Sequence, residues 1–125
     1  TNWYNDVETM RLPAITLDEY VHTNKLPQPQ MLKLDTQGSE LDILKGAVNT
    51  LRGVELIATE CPVFSYNEGT PDMGQYIKAF WDHGFLPYKN IEDHYIDSIL
   101  VQIDILFIRK EAKEVYIGAT SNLHV

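Results

Sequence analysis

"MLKLDTQGSELDILKG", residues 31–46, decides how the rest of the chain is read. Met31 to Leu34 form a short apolar run that stops at a carboxylate, Asp35. Gly38 and a second acid, Glu40, follow, and then apolar residues recur at helical spacing. The pattern predicts a strand over 31–34, a turn, and a helix whose apolar face is Leu41, Leu44, Ala47, Val48 and Leu51. Gly53 would close that helix, and Ser39 with Asp42 reads as a capping pair at its start. "VELIATE" (54–60) is a second apolar strand. A strand–helix–strand unit with a right-handed crossover makes the two strands parallel.

Working outward, residues 1–13 have no period and read as irregular. In "PAITLDEYVHTN", Thr16 and Glu19 make a Thr-x-x-Glu capping box, which predicts a short extended piece at Ala14–Ile15 and a helix to about His22. "KLPQPQ" is a loop because of its prolines. Downstream, "CPVFSYNEGTPD" reads as a loop. Asp72 then caps a helix whose face of Met73, Tyr76, Ile77, Phe80 and Trp81 is expected in the core, ending at Gly84. "FLPYKNI" is a strand that Pro87 pushes to a sheet edge, and "SILVQIDILFIRK" is the last long strand. Residues 90–98 link these two and allow an antiparallel pairing, and 111–125 read as a tail. The expected architecture is a single α/β domain of about four main strands, a parallel pair plus an antiparallel C-terminal pair, flanked by helices.

A chain of 125 residues with 44% hydrophobic and 22% charged residues suits one globular domain. Its net charge of −8 works against nucleic acid and acidic membrane surfaces as partners, since both are met by basic patches. The lone Cys61 excludes an internal disulfide, and no signal peptide or long apolar span is evident, so a cytoplasmic, reducing setting is expected. Thr1 stands where an initiator Met is expected, which suggests a processed product or a piece of something longer.

"TLDEY" (16–20), "LKLDTQGSELDILKGA" (32–47), "ELIATE" (55–60), "HGF" (83–85) and "DILFIRK" (104–110) together resemble the FkbM family of S-adenosylmethionine-dependent methyltransferases, over about Thr16 to Lys110. Many members carry an acid where this chain has Gln37. The resemblance implies a Rossmann-like, class I methyltransferase sheet, of which this chain corresponds to the C-terminal portion. The family's first strand and Gly-rich turn, which hold the cofactor, have no counterpart here, as no G-x-G run occurs. The implied activity of the intact enzyme is methylation of a hydroxyl on a sugar or secondary metabolite with S-adenosylmethionine. This chain alone is expected to bind no cofactor and to turn over nothing.

Ligands of an open parallel sheet sit at the carboxyl ends of its strands, so Asp35 and Glu60 are the catalytic candidates. The resemblance makes Asp35 the group that orients, or takes a proton from, an acceptor hydroxyl. A bland reading has Asp35 satisfying backbone N–H groups in its turn. Gly38, Glu40, Phe64 and Tyr66 are the substrate-pocket candidates. Gly38 reads equally as a conformational requirement, Glu40 as a helix-dipole acid, and Phe64 and Tyr66 as core or lid packing. Cys61 reads as a small buried hydrophobe. His22, His83, His94 and His124 form no H-x-x-x-H or H-E-x-x-H pair, so no metal site is expected.

Two rival functions remain. One is a non-catalytic module, because the strand at 31–34 is left with an apolar edge that invites a homodimer or another partner, unless residues 1–15 cover it. The other is a small hydrolase using Asp35, Glu60 and His94.

Overall fold

The computed structural model describes residues 9–65 and 67–112. Helix α1 spans Leu17–Thr23, strand β1 Met31–Leu34 and helix α2 Glu40–Lys45. A 3-10 turn over Thr50–Gly53 leads to β2, Leu56–Pro62. Helix α3, Met73–Asp82, precedes β3, Phe85–Ile96, and β4, Ile99–Arg109, with a final 3-10 turn at Lys110–Ala112. The strands form one mixed sheet in the order β1-β2-β4-β3. β1 and β2 are parallel, with Leu32 opposite Ile57 and Leu34 opposite Thr59, and the other two pairings are antiparallel. This is the α/β architecture that the sequence predicts. β3, with its Pro87, lies at an edge, and its register with β4 shifts just after the proline.

One face of the sheet carries the core. Ile57 and Cys61 of β2 and Ile105 and Phe107 of β4 alternate inward. They meet Leu44 of α2, Ala47, Leu51 and Val54 of the segment after it, and Tyr76 and Phe80 of α3. Phe80 stacks on Phe107 with ring centroids 4.2 Å apart. At the far end of β4, Arg109 donates through Nε to the Val54 carbonyl at 2.8 Å and through a terminal nitrogen to the Leu51 carbonyl. Its guanidinium also lies over the Phe85 ring.

Five expectations are corrected. The single helix read through Leu51 is two pieces, because Gly46 ends α2 and the chain re-forms as a 3-10 turn. The cause is α1 crossing this point. The Asp18 N–H bonds the Gly46 carbonyl at 3.0 Å, and a Cβ on Gly46 would sit 2.9 Å from the Thr16 Cβ. Ser39 makes no side-chain cap, whereas Asp72 and Gln75 form a complete reciprocal capping box on α3. β2 runs on through Cys61 and Pro62, shortening the loop. Trp81 is not core. It is 52% exposed, and the Lys110 ammonium sits 4.4 Å from its ring centre. Residues 90–96 continue β3, so the link is only the turn Asp97–Ser98, between the paired Ile96 and Ile99. Both turn residues have positive φ, 49° and 73°, as the two-residue hairpin turn matched to strand twist requires.

Candidate active site

The register of the sheet sets the site. Asp35 follows β1 directly, and the residue before it, Leu34, lies opposite Thr59. Asp35 therefore stands beside Glu60. Glu60 is in turn the register partner of Asp104 on β4, and Asp104 that of Glu92 on β3. Side chains alternate faces along a strand, so Glu60 and Asp104 project from the face opposite buried Thr59, Cys61 and Ile105. The result is a row of carboxylates running across the sheet on its less covered face. His94 joins the row, its Nε2 lying 2.9 Å from Asp104 Oδ2. Gln37, Glu60, Asn67 and Gln102 line an open depression at this end of the sheet.

The turn that delivers Asp35 is held from within. Glu40 is buried, 1% exposed, and both of its oxygens are engaged. Oε1 accepts from the Thr36 N–H at 3.0 Å, and Oε2 from the Gly38 N–H at 2.9 Å and the Tyr76 hydroxyl at 2.6 Å. Burial works against the Glu40 carboxylate, but the bonds from Tyr76 and the backbone N–H groups outweigh it and hold its pKa below the usual range. Thus Glu40 shapes the pocket wall from behind instead of offering it a free group. Gln37 and Gly38 take positive φ, 55° and 127°, and a Cβ on Gly38 would meet Thr70 Cγ2 at 3.0 Å. Gln37 of this bend lines the same depression as Glu60.

Glu60 differs from an ordinary glutamate. Desolvation, the charges of Asp35 and Asp104, and a hydrogen bond with the Asp35 side chain all raise its pKa, and His94 only partly offsets them. A carboxyl that keeps its proton longer, bonded to a second carboxyl, is a coupled pair able to hold and release one proton. His94 is shifted upward chiefly by its bond to Asp104. Cys61 is fully buried and its thiol is pushed up to about 12 by burial, so it offers no thiolate nucleophile. Phe64 stands 65% exposed on the loop after β2, and Tyr66 lies outside the described residues.

Sequence reasoning put Asp35, Glu60 and His94 on its list, and the fold places all three on one face, with Asp104 between Glu60 and His94. It missed Asp104, Gln102 and Asn67. The legible signal for the first two was a polar residue at alternate positions of an otherwise apolar strand.

The family model described as the methyltransferase FkbM domain matches residues 1–87. The chain belongs to the FkbM methyltransferase family. The match takes in Asp35, Gly38, Glu40 and Glu60 and ends within β3, before His94 and Asp104. Among curated proteins, the hexuronic acid methyltransferase AglP of Haloferax volcanii is 36% identical over 52 residues. That alignment covers 42% of this chain and 22% of AglP, so the likeness spans under a quarter of the relative. No solved structure matches.

The adenosyl donor that the family resemblance implies needs free backbone N–H groups at a glycine turn and a carboxylate for its ribose. The residues described do not fit that role. Gly38 is the glycine of the turn after β1, and its N–H is already given to Glu40. The carboxylates on offer form a row along the sheet face.

Proposed function

We propose that this chain forms the acceptor-side wall of an S-adenosylmethionine-dependent methyltransferase that methylates a hydroxyl on a sugar or secondary metabolite. In this reading it is the C-terminal portion of a longer enzyme. The observation that carries it is Asp35 beside Glu60 where the parallel pairing of β1 and β2 ends, with Glu60 shifted upward by burial and by the neighbouring acids. A carboxylate shifted that way is a better base than an ordinary one near neutral pH. The ionised member of the pair accepts the hydrogen bond of the acceptor hydroxyl and takes that proton as the oxygen attacks the methyl group, while the other member holds it in place. Gly38 keeps the turn close to the acceptor, and the exposed Phe64 offers it an apolar surface. Similarity to a hexuronic acid methyltransferase supports a sugar acceptor. The single buried cysteine is in keeping with a reducing, cytoplasmic setting. Among the described residues no helix is long and apolar enough to cross a membrane.

The methyl group comes from the cofactor, whose cradle lies outside the residues described. What this chain contributes is position and a proton acceptor, and general-base catalysis of this kind is worth about 10²–10⁴-fold. In the full-length enzyme, assayed with a panel of uronic acid glycosides by release of the demethylated cofactor, Asp35→Asn and Glu60→Gln should each lower kcat by about 10²-fold or more. Undiminished turnover in the double variant overturns the assignment. Calorimetry on these 125 residues should find no binding of S-adenosylmethionine, and micromolar binding overturns the acceptor-wall reading.

A second reading, a non-catalytic module that associates through β1, is favoured by one observation. Among the described residues β1 pairs only with β2, which leaves its outer edge open.

A further inference from the structure

We propose that Glu92, His94 and Asp104, on the β3–β4 hairpin, form a binding site for a divalent cation of the zinc, cobalt and nickel type. The proposal is independent of the methyl-transfer reading. One ligand atom from each residue lies within 4.8 Å of the others. The imidazole presents a single nitrogen to both acids, with Nε2 2.9 Å from Asp104 Oδ2 and 4.0 Å from Glu92 Oε2. A zinc ion about 2.0–2.2 Å from each donor holds adjacent ligand atoms about 3–3.5 Å apart. The His94–Asp104 edge, 2.9 Å, is just short of that length and the His94–Glu92 edge, 4.0 Å, just beyond it, so small side-chain rotations complete the set.

Three further features fit a metal better than a simple ion pair. The second oxygen of Asp104, Oδ1, accepts from Gln102 Nε2 at 2.8 Å. That bond fixes the carboxylate plane with Oδ2 facing the imidazole, the usual work of an outer-shell partner. A proton on Nε2 can serve one carboxylate, whereas this nitrogen faces two, and Glu60 stands beside Asp104 as a further acid. A doubly charged ion neutralises more of that row than an imidazolium can. All three donors also sit on paired strands and not on a loop, with register shifts flanking Glu92 and His94 on β3.

One imidazole with two carboxylates selects a borderline ion over magnesium or calcium, which prefer six or more oxygens. Three protein ligands leave a fourth position for water or a substrate oxygen, and the partly exposed histidine gives an entry path. The linear spacing of histidines could not reveal the site, because hairpin register brings its donors together from two strands.

The test uses the chelator-stripped chain titrated with Zn²⁺ by calorimetry and with Co²⁺ by visible absorption. The expected result is one equivalent bound, with cobalt bands of a four- or five-coordinate ion. His94→Ala, at a half-buried position, and Glu92→Gln, at an exposed one, both checked for fold by circular dichroism, should each weaken binding at least about tenfold, as should Gln102→Ala behind Asp104. His22→Ala should leave affinity unchanged. No binding of either ion overturns the proposal. So does binding that survives both His94→Ala and Glu92→Gln, or that is lost only in Glu60→Gln, which would place the ion on the Asp35–Glu60 pair instead.

Discussion

Glu40 is the residue on which the turn after β1 depends. Its carboxylate is buried and serves two backbone N–H groups and a tyrosine hydroxyl at once. Hydrogen bonds to a charged acceptor contribute about 1.5–3 kcal/mol each at most, so Glu40→Gln should destabilise the fold by about 1–3 kcal/mol, read from urea midpoints. Tyr76→Phe should lose less, and the double variant less than the sum, because both remove the same bond. The sign of the pH dependence follows from the lowered folded-state pKa. The contribution of Glu40 is complete above the pKa of an unfolded glutamate and is lost as pH falls through the lower, folded value. The gap in stability between the native chain and Glu40→Gln should therefore close on acidification below the ordinary glutamate range. A gap that stays constant with pH contradicts the assignment. Gly38→Ala acts on the same turn through sterics, since φ of 127° and the 3.0 Å approach of Thr70 both oppose a Cβ. It should cost about 1 kcal/mol or more.

At the scale of elements, the sequence spelled out the apolar periods and left the breaks illegible. Leu44, Ala47 and Leu51 are all buried, as their spacing implies, yet they belong to two elements because α1 lies across Gly46. A long-range contact made that break, and no local signal beyond one glycine announced it. The same contact gives "TLDEY" its meaning. Asp18 reaches from α1 to cap the 3-10 turn, accepting from the Asn49 N–H at 2.9 Å and from the Thr50 N–H and hydroxyl at 2.7 and 2.6 Å. Asp18→Ala should lower stability by about 1–2 kcal/mol, the usual cost of losing a cap, and a change under about 0.3 kcal/mol would contradict that role. The hairpin turn was missed for the opposite reason. Asp97–Ser98 lacks the glycine that marks a left-handed pair, although both residues adopt positive φ. Ser98→Gly should relieve part of that strain and raise stability by about 0.5–1 kcal/mol in the same urea assay, and a loss would argue against the turn.

For the whole molecule, the legible half of the site was its position and the hidden half its extent. That Asp35 and Glu60 lie together where the parallel pairing of β1 and β2 ends followed from the order of apolar runs, although β2 itself runs on to Pro62. That Asp104, Glu92 and His94 extend the same row depends on antiparallel register between β2, β4 and β3, which one-dimensional spacing does not encode. The same topology leaves β1 as an edge. Met31 is 53% exposed, and the outer side of β1 carries no strand among the described residues. Beside it lies an apolar groove lined by Ile15, Leu17, Tyr20, Leu32, Leu34 and Ile43. Residues 9–15 do not close it by pairing, for Met10, Leu12 and Ile15 are all exposed. An open edge beside an apolar groove is a template for another strand, and Lys33 is the only charge on the strand to discourage one. The chain on its own should therefore self-associate through β1. Sedimentation should show a dimer that dissociates on dilution, and amide exchange at 31–34 should slow as concentration rises. A monomer at all concentrations, with those amides exchanging at an unchanging rate, would leave the edge to be covered by another part of the enzyme and would end the case for a self-associating module.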